Sequence, residues 1–338
     1  MRRVLIVAGV ATLLALAWQL AEVLLLAFGS VLVAVLLHTF ANVISARTPV
    51  PDRWALAVAS LTVFAVVLGI AALFGTQMRA QLAGVVEQLP GGLNSLSRSF
   101  GFGDISNQLP QMFGANPGTA ILSRVAGLGA TVLGGLTDFV LVVVAGLFIA
   151  ADPKVYRRGL VKLFPPSQHD RVEGSLDASG EALRLWLISQ LIAMAAVGIL
   201  TTFAMWLIGL PSALALGLIA GFFEFIPFVG PILGAVPALL IAFTIDAKTA
   251  LWTALAFVAI QQIESNVLFP IIEKRVVALP PALALFAIVA GGVLFGPVGL
   301  MVGFPLAVVV FTLVKKLYVR ETLGEQTPVP GENHAAPT

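Results

Sequence analysis

The residues best able to do chemistry in this chain are carboxylates and carboxamides set inside apolar runs. Glu224 sits between Phe222-Phe223 and Phe225-Ile226-Pro227, and Gln261, Gln262, Glu264 and Asn266 fall together between Val258 and Pro270. Gln190 interrupts a further apolar run. An ionisable group surrounded by hydrocarbon is costly and is a functional candidate by default. In that setting a carboxylate can bind a cation, carry a proton or accept hydrogen bonds from a polyol. Helical spacing puts Gln262 and Asn266 on one face and Gln261 and Glu264 on an adjacent one. Glu264 also has a bland reading, as an interfacial residue near Lys274 and Arg275. Asp138 and Glu22 are weaker candidates, the first in the outer half of a helix and the second at a turn between two helices.

Enzyme chemistry finds little support. There is no HExxH, no GxSxG and no phosphate loop. Gly101-Phe102-Gly103-Asp104 spells GxGD, but in a polar stretch with no matching membrane aspartate. His38, His169 and His334 are too scattered for a metal site, and the absence of cysteine excludes disulfides and thiolate ligands. The chain is therefore expected not to be an enzyme and to need no cofactor and no metal. A net charge of +2 gives no reason to expect a nucleic-acid partner.

These residues need elements that hold them in a bilayer. Hydrophobic residues make up 59% of the 338, charged residues only 11%, and mean hydropathy is +1.02. Most charges lie between apolar runs of about 20 residues, the length that crosses a hydrocarbon layer of ~30 Å. Full spans are expected at 4–20, 23–44, 54–75, 131–151, 183–208 and 249–271. Arg2-Arg3 and the run after it resemble a signal peptide, yet a second apolar run follows almost at once, which favours an uncleaved first helix. Two stretches, 209–245 and 279–314, are too long for one straight crossing and too broken by Gly and Pro to be one helix. Each reads as a hairpin that returns to the side it entered from.

Orientation follows from the basic residues of short loops. With both termini cytoplasmic, Arg2, Arg3, Arg47, Arg53, the cluster from Lys154 to Arg171, Lys274, Arg275 and Lys315, Lys316, Arg320 all lie inside. The parity requires both hairpins. The expected fold is an all-α polytopic membrane protein with six full-span helices, two inverted-topology hairpins and short amphipathic helices in an extracytoplasmic segment, 76–130. Residues 1–75 would form a scaffold and 131–182 the fourth span with a cytoplasmic connector. A carrier half would occupy 183–317, and 318–338 a disordered cytoplasmic tail.

The hairpins are related in sequence. At an offset of 69, Leu210-Pro211-Ser212-Ala213-Leu214-Ala215-Leu216 meets Leu279-Pro280-Pro281-Ala282-Leu283-Ala284-Leu285, and Val229, Gly230 and Gly234 meet Val298, Gly299 and Gly303. One crossing separates them, so they enter from opposite faces, the arrangement of many secondary transporters. The tips, Phe225 to Pro231 and Gly291 to Pro297, cannot be continuous helix, and their freed backbone groups are tolerable at membrane depth only beside protein or a wet cavity. The GxxxG spacings Gly217/Gly221, Gly230/Gly234, Gly292/Gly296 and Gly299/Gly303 admit a second reading, close helix packing.

Three runs of residues resemble the autoinducer-2 exporter (AI-2E) family of permeases: Gly209-Leu210-Pro211 through Glu224 to Pro237, Gln261 to Asn266 with Pro270, and Leu279-Pro280-Pro281 through Gly291-Gly292, Phe295-Gly296 and Gly299 to Gly303-Phe304-Pro305. The specific match covers 180–315, while the N-terminal third matches in layout. The resemblance implies a bacterial inner-membrane permease that assembles into homo-oligomers, pentamers among them. It also implies elevator-like movement of the hairpin half, with export of the quorum-sensing signal autoinducer-2 for some members and sodium/proton antiport for others.

The leading expectation is an exporter of a small polar solute driven by a proton or sodium gradient. Glu224 and Glu264 would couple to the ion. Gln190, Gln262, Asn266 and the tip residues Pro227, Gly230, Gly292 and Gly296 would contact the solute. A cation/proton antiporter and a non-transporting membrane scaffold, both in contact with membrane lipid, are the alternatives.

Overall fold

The computed structural model describes residues 19–51, 54–65, 68–69, 138–268, 270, 279–325 and 327. The expected first span 4–20 up to residue 18, the segment 76–130 with its GxGD tetrapeptide, and Lys274 and Arg275 lie outside the described residues.

All regular structure among the described residues is helical. In chain order the helices are α1 (Ala21–Arg47), α2 (Trp54–Ala65), α3 (Asp138–Ala151), α4 (Pro153–Val161), α5 (His169–Ile208), α6 (Ala213–Phe223), α7 (Gly230–Ile245), α8 (Ala247–Ile263) and α9 (Pro281–Leu313). Widened π-helical turns continue α8 through Glu264–Leu268 and α9 through Val314–Arg320. Three helical stretches, 21–47, 166–208 and 281–320, are long and apolar enough to cross a membrane, and a fourth is added if the bent pair α3–α4 counts as one. Large exposed apolar side chains such as Leu61, Phe148, Ile199, Trp206 and Val293 cover these helices, as expected where the solvent is lipid rather than water.

The stretch 281–320 passes as one span by length alone, but it folds back on itself. Gly296 has φ 63° and ψ −147°, a conformation that breaks the helix, and Pro297 follows it. A Cβ at Gly303 would lie 2.6 Å from Ala287 O and 3.3 Å from Ile288 Cα. Along one straight helix residues 287 and 303 would be about 24 Å apart. The limbs 281–295 and 297–313 are therefore an antiparallel hairpin, held by Gly291, Gly299 and Gly303 in mutual backbone contact. The stretch 209–245 likewise forms a hairpin of α6 and α7, with a turn from Glu224 to Val229.

The expected connector 152–182 is largely helix. After α4 and a short turn at Pro166–Gln168, α5 starts at His169 and runs unbroken for 40 residues. Hydropathy marked only its apolar half, because the polar half carries Asp170, Arg171, Glu173, Asp177, Glu181 and Arg184 while keeping helical backbone bonds. Arg157 of α4 bridges Glu173 and Asp177 of α5, each at 2.7 Å.

The chain divides into two compact units, one of 1–60, 137–186 and 277–338 and the other of 61–136 and 187–276. In the first unit α1 packs on α3, where a Cβ at Gly146 would meet Val33 at 2.8 Å, and Trp186 stacks on Phe304 at 5.5 Å. There too, Arg171 pairs with Glu321 and donates to Leu317 O and Thr322 Oγ1, and Lys316 donates to Gly174 O. The described start of the expected tail is thus tied to α5. In the second unit the core joins Met205, Leu210, Leu216, Ala238, Ile241, Ala242 and Ala250 from α5 through α8.

Candidate functional site

The site lies in the second unit, at the turn between α6 and α7. Helix α6 can press close to α5 because glycines meet there: a Cβ at Gly221 would sit 2.6 Å from Met194 O and 3.1 Å from Gly198 Cα. Its apolar face ends at Phe223. Pro227 has no N–H to continue the helical bonding, and Phe228 turns the chain with φ 66°, a conformation that costs a bulky side chain energy. Two backbone bonds, Val229 N–H to Pro227 O and Gly230 N–H to Ile226 O, both 2.8 Å, close the turn. Helix α7 then starts at Gly230-Pro231. A Cβ at Gly230 would collide with Phe223 O and stand 2.9 Å from Glu224 Cα. Gly230 is therefore the residue that lets the returning helix lie against the backbone of Glu224.

Glu224 is 2% exposed, and its Oε2 has no hydrogen-bond partner among the described residues. Its carboxyl group is the immediate neighbour of that of Glu264, which is 5% exposed and lies in the π-helical turn ending α8. Gln261 Nε2 donates to Glu264 Oε2 at 3.2 Å, and Gln190 Nε2 of α5 donates to Glu224 O at 2.5 Å. Two carboxylates this close cannot both stay ionised without compensation. A shared proton satisfies them, and so does a cation held between them. Glu224 Oε2, buried with no donor among the described residues, is available to either ligand.

The expected site residues thus divide. Glu224, Glu264, Gln190, Pro227 and Gly230 come together, joined by Gln261. Gln262 and Asn266 do not join them: both are exposed, and Asn266 Nδ2 donates to Gln262 O and Oε1 at 2.9 Å each. Gly292 and Gly296 belong to the α9 hairpin of the other unit. Glu22 lies in the first turn of α1, and Asp138 begins α3. Two features carry no signal in the sequence. One is the π-helical turn under Glu264, a distortion frequent at functional sites. The other is the bond from Gln190 to the tip backbone, which depends on how α5 and α6 pack. No cluster of metal-ligating side chains occurs among the described residues.

The profile of the AI-2E family transporters matches residues 6–319. Two Bacillus subtilis relatives carry provisional transport-protein names: YrrI, 34% identical over 158 residues (47% of this chain and 45% of that protein), and YueF, 31% identical over 195 residues (56% and 52%). A Mycobacterium tuberculosis relative named in the same way, MT0215, is 28% identical over 269 residues, 75% of this chain and 72% of its own length. The matches to the first two span about half the length of those relatives.

Proposed function

The chain belongs to the AI-2E transporter family, and on that footing we propose that it is a secondary-active transporter that exports a small polar solute of the autoinducer-2 type, using an ion gradient. The observation that carries the ion coupling is the buried pair Glu224–Glu264 beside a broken helix. Burial and a close second carboxyl favour neutralisation of the pair by a proton or a cation, which is what an ion-coupling site has to take up and release. Solute contact falls to the tip backbone from Phe225 to Gly230 and to Gln190 beside it. Gln262 and Asn266 form an exposed polar pair available to the same solute, and Gly292 and Gly296 are the corresponding candidates on the second hairpin. The proposed setting is a bacterial inner membrane with both termini cytoplasmic, six full spans, the two hairpins entering from opposite faces, and a homo-oligomeric assembly.

A cation/proton antiporter is the second reading, favoured by the free Oε2 of Glu224 next to a second carboxyl. The test is uptake into inverted vesicles under imposed proton and sodium gradients. The proposal expects solute uptake that rises with one gradient and collapses with its ionophore. Cation movement without any solute would replace export by antiport, and no movement of either would point to a scaffold.

A further inference from the structure

Helix α4 is not used by the transport reading, and its three faces differ in chemistry. Arg157 and Val161, one turn apart, face α5: Arg157 is held by Glu173 and Asp177, and Val161 is buried. Lys154, Arg158 and Lys162 recur at every fourth residue on a second face, all exposed and with no ion pair among the described residues. The i, i+4 spacing holds to its end, since Lys162 N–H bonds Arg158 O at 3.1 Å. Tyr156, Leu160 and Leu163 form a third face, exposed by 45%, 50% and 78%, with Val155 and Phe164 also exposed. In water this apolar face has no reason to be bare.

The direction of the helix supplies the occupant. Helix α3 presents exposed Phe139, Val140, Leu141, Val144, Leu147 and Phe148, as a lipid-facing helix does. At Asp152 the chain turns by 87° into α4. If α3 crosses the bilayer, α4 lies along its surface. An amphipathic helix in that plane sinks its aliphatic and aromatic face to the acyl boundary and holds its cations among the headgroups.

We infer that α4 is an interfacial helix whose Lys154, Arg158 and Lys162 bind the headgroups of anionic phospholipids while Tyr156, Leu160 and Leu163 enter the acyl layer. Arg157, already paired, fastens this anchor to the polar half of α5. The nearby carboxylates Glu173 and Asp177 are engaged with Arg157, which leaves the three-cation face free for phosphate; Asp152 is the exposed acid at the corner.

Two measurements on the full chain test this. The first uses Leu163→Cys, the sole cysteine, spin-labelled in nanodiscs of phosphatidylcholine and phosphatidylglycerol. The label should collide more often with oxygen than with an aqueous nickel chelate. Preferential nickel access would put the face in water, and exclusion of both probes would put it against protein; either result overturns the inference. The second follows thermal stabilisation of the detergent-solubilised protein by added phosphatidylglycerol. Lys154→Gln should raise the mole fraction needed for half the effect about fivefold, the effect of roughly one lipid-facing cation. The triple variant Lys154→Gln, Arg158→Gln, Lys162→Gln should lose the effect, and Lys248→Gln, an exposed cation elsewhere, should keep it. An unchanged response in the triple variant would mean the headgroups are held elsewhere and would overturn the assignment.

Discussion

Glu224 lies in the turn after α6 and Glu264 in the widened turn that ends α8, and Gly230 sets how closely α7 lies against the Glu224 backbone. Gly230→Ala should therefore act on the site as well as on stability. The added methyl meets backbone rather than a side chain that can swing away, so a loss of about 1–3 kcal/mol is expected, read as a lower midpoint of thermal unfolding together with reduced flux. Gly296→Ala should lose a similar amount, on the order of 1–3 kcal/mol, because its backbone conformation is one that only glycine adopts freely. Gly159→Ala is the contrast. A Cβ added there, inside α4, would meet no other part of the protein within 4 Å, so stability should rise by about 0.5–1 kcal/mol. The carboxylates were legible in the sequence because a charge in an apolar run stands out by itself. Their pairing was not, since it depends on where the α6–α7 turn meets the end of α8. The separation of Gln262 and Asn266 from the pair was also hidden. At i, i+4 each can satisfy the other as readily as a solute, and spacing cannot choose between the two.

Among the elements, the hairpins were legible and the connector was not. Gly-Pro pairs and lengths beyond one crossing announce a reversal, and both expected reversals lie within turns at Glu224–Val229 and at Gly296. Hydropathy, in contrast, reports where lipid ends and not where a helix ends, so it gives no sign that α5 already begins at His169 within the polar connector. The junction of α7 and α8 shows how such a boundary is set. Asp246 accepts from Thr249 N–H at 2.6 Å and from Thr249 Oγ1 at 3.0 Å, capping α8. The Thr249 backbone bond, with help from the Thr249 hydroxyl and Lys248, holds the Asp246 carboxyl below its ordinary range. A depressed folded-state value means that the cap is fully effective above the unfolded aspartate value and is lost as pH falls through the depressed one. Asp246→Ala should thus lower the thermal midpoint at neutral pH, and its difference from the native chain should shrink on acidification. A pH-independent difference would assign the effect to something other than the charged cap.

At the scale of the molecule, the family profile and the long apolar helices among the described residues agree on a membrane protein of the AI-2E transporter family. The internal repeat and the one-sided distribution of basic residues supply the further proposal that the two hairpins open to opposite faces. Because the chain has no cysteine, single exposed cysteines test it cleanly. Lys248→Cys, beside the open end of the first hairpin, should react with an impermeant thiol reagent from outside. Tyr318→Cys, beyond the end of the second, should react only after the cytoplasmic face is opened. Reaction of both from one side would remove the inverted arrangement. The central claim, however, is that the buried carboxyl pair couples an ion to transport. Gradient-driven flux in proteoliposomes holding the native chain, Glu224→Gln or Glu264→Gln tests it most directly. Each carboxamide keeps the shape of its carboxyl but cannot exchange a proton or balance a cation, so each single variant should lose gradient-driven flux at unchanged reconstitution and folding. Flux of native magnitude in both variants would contradict the account.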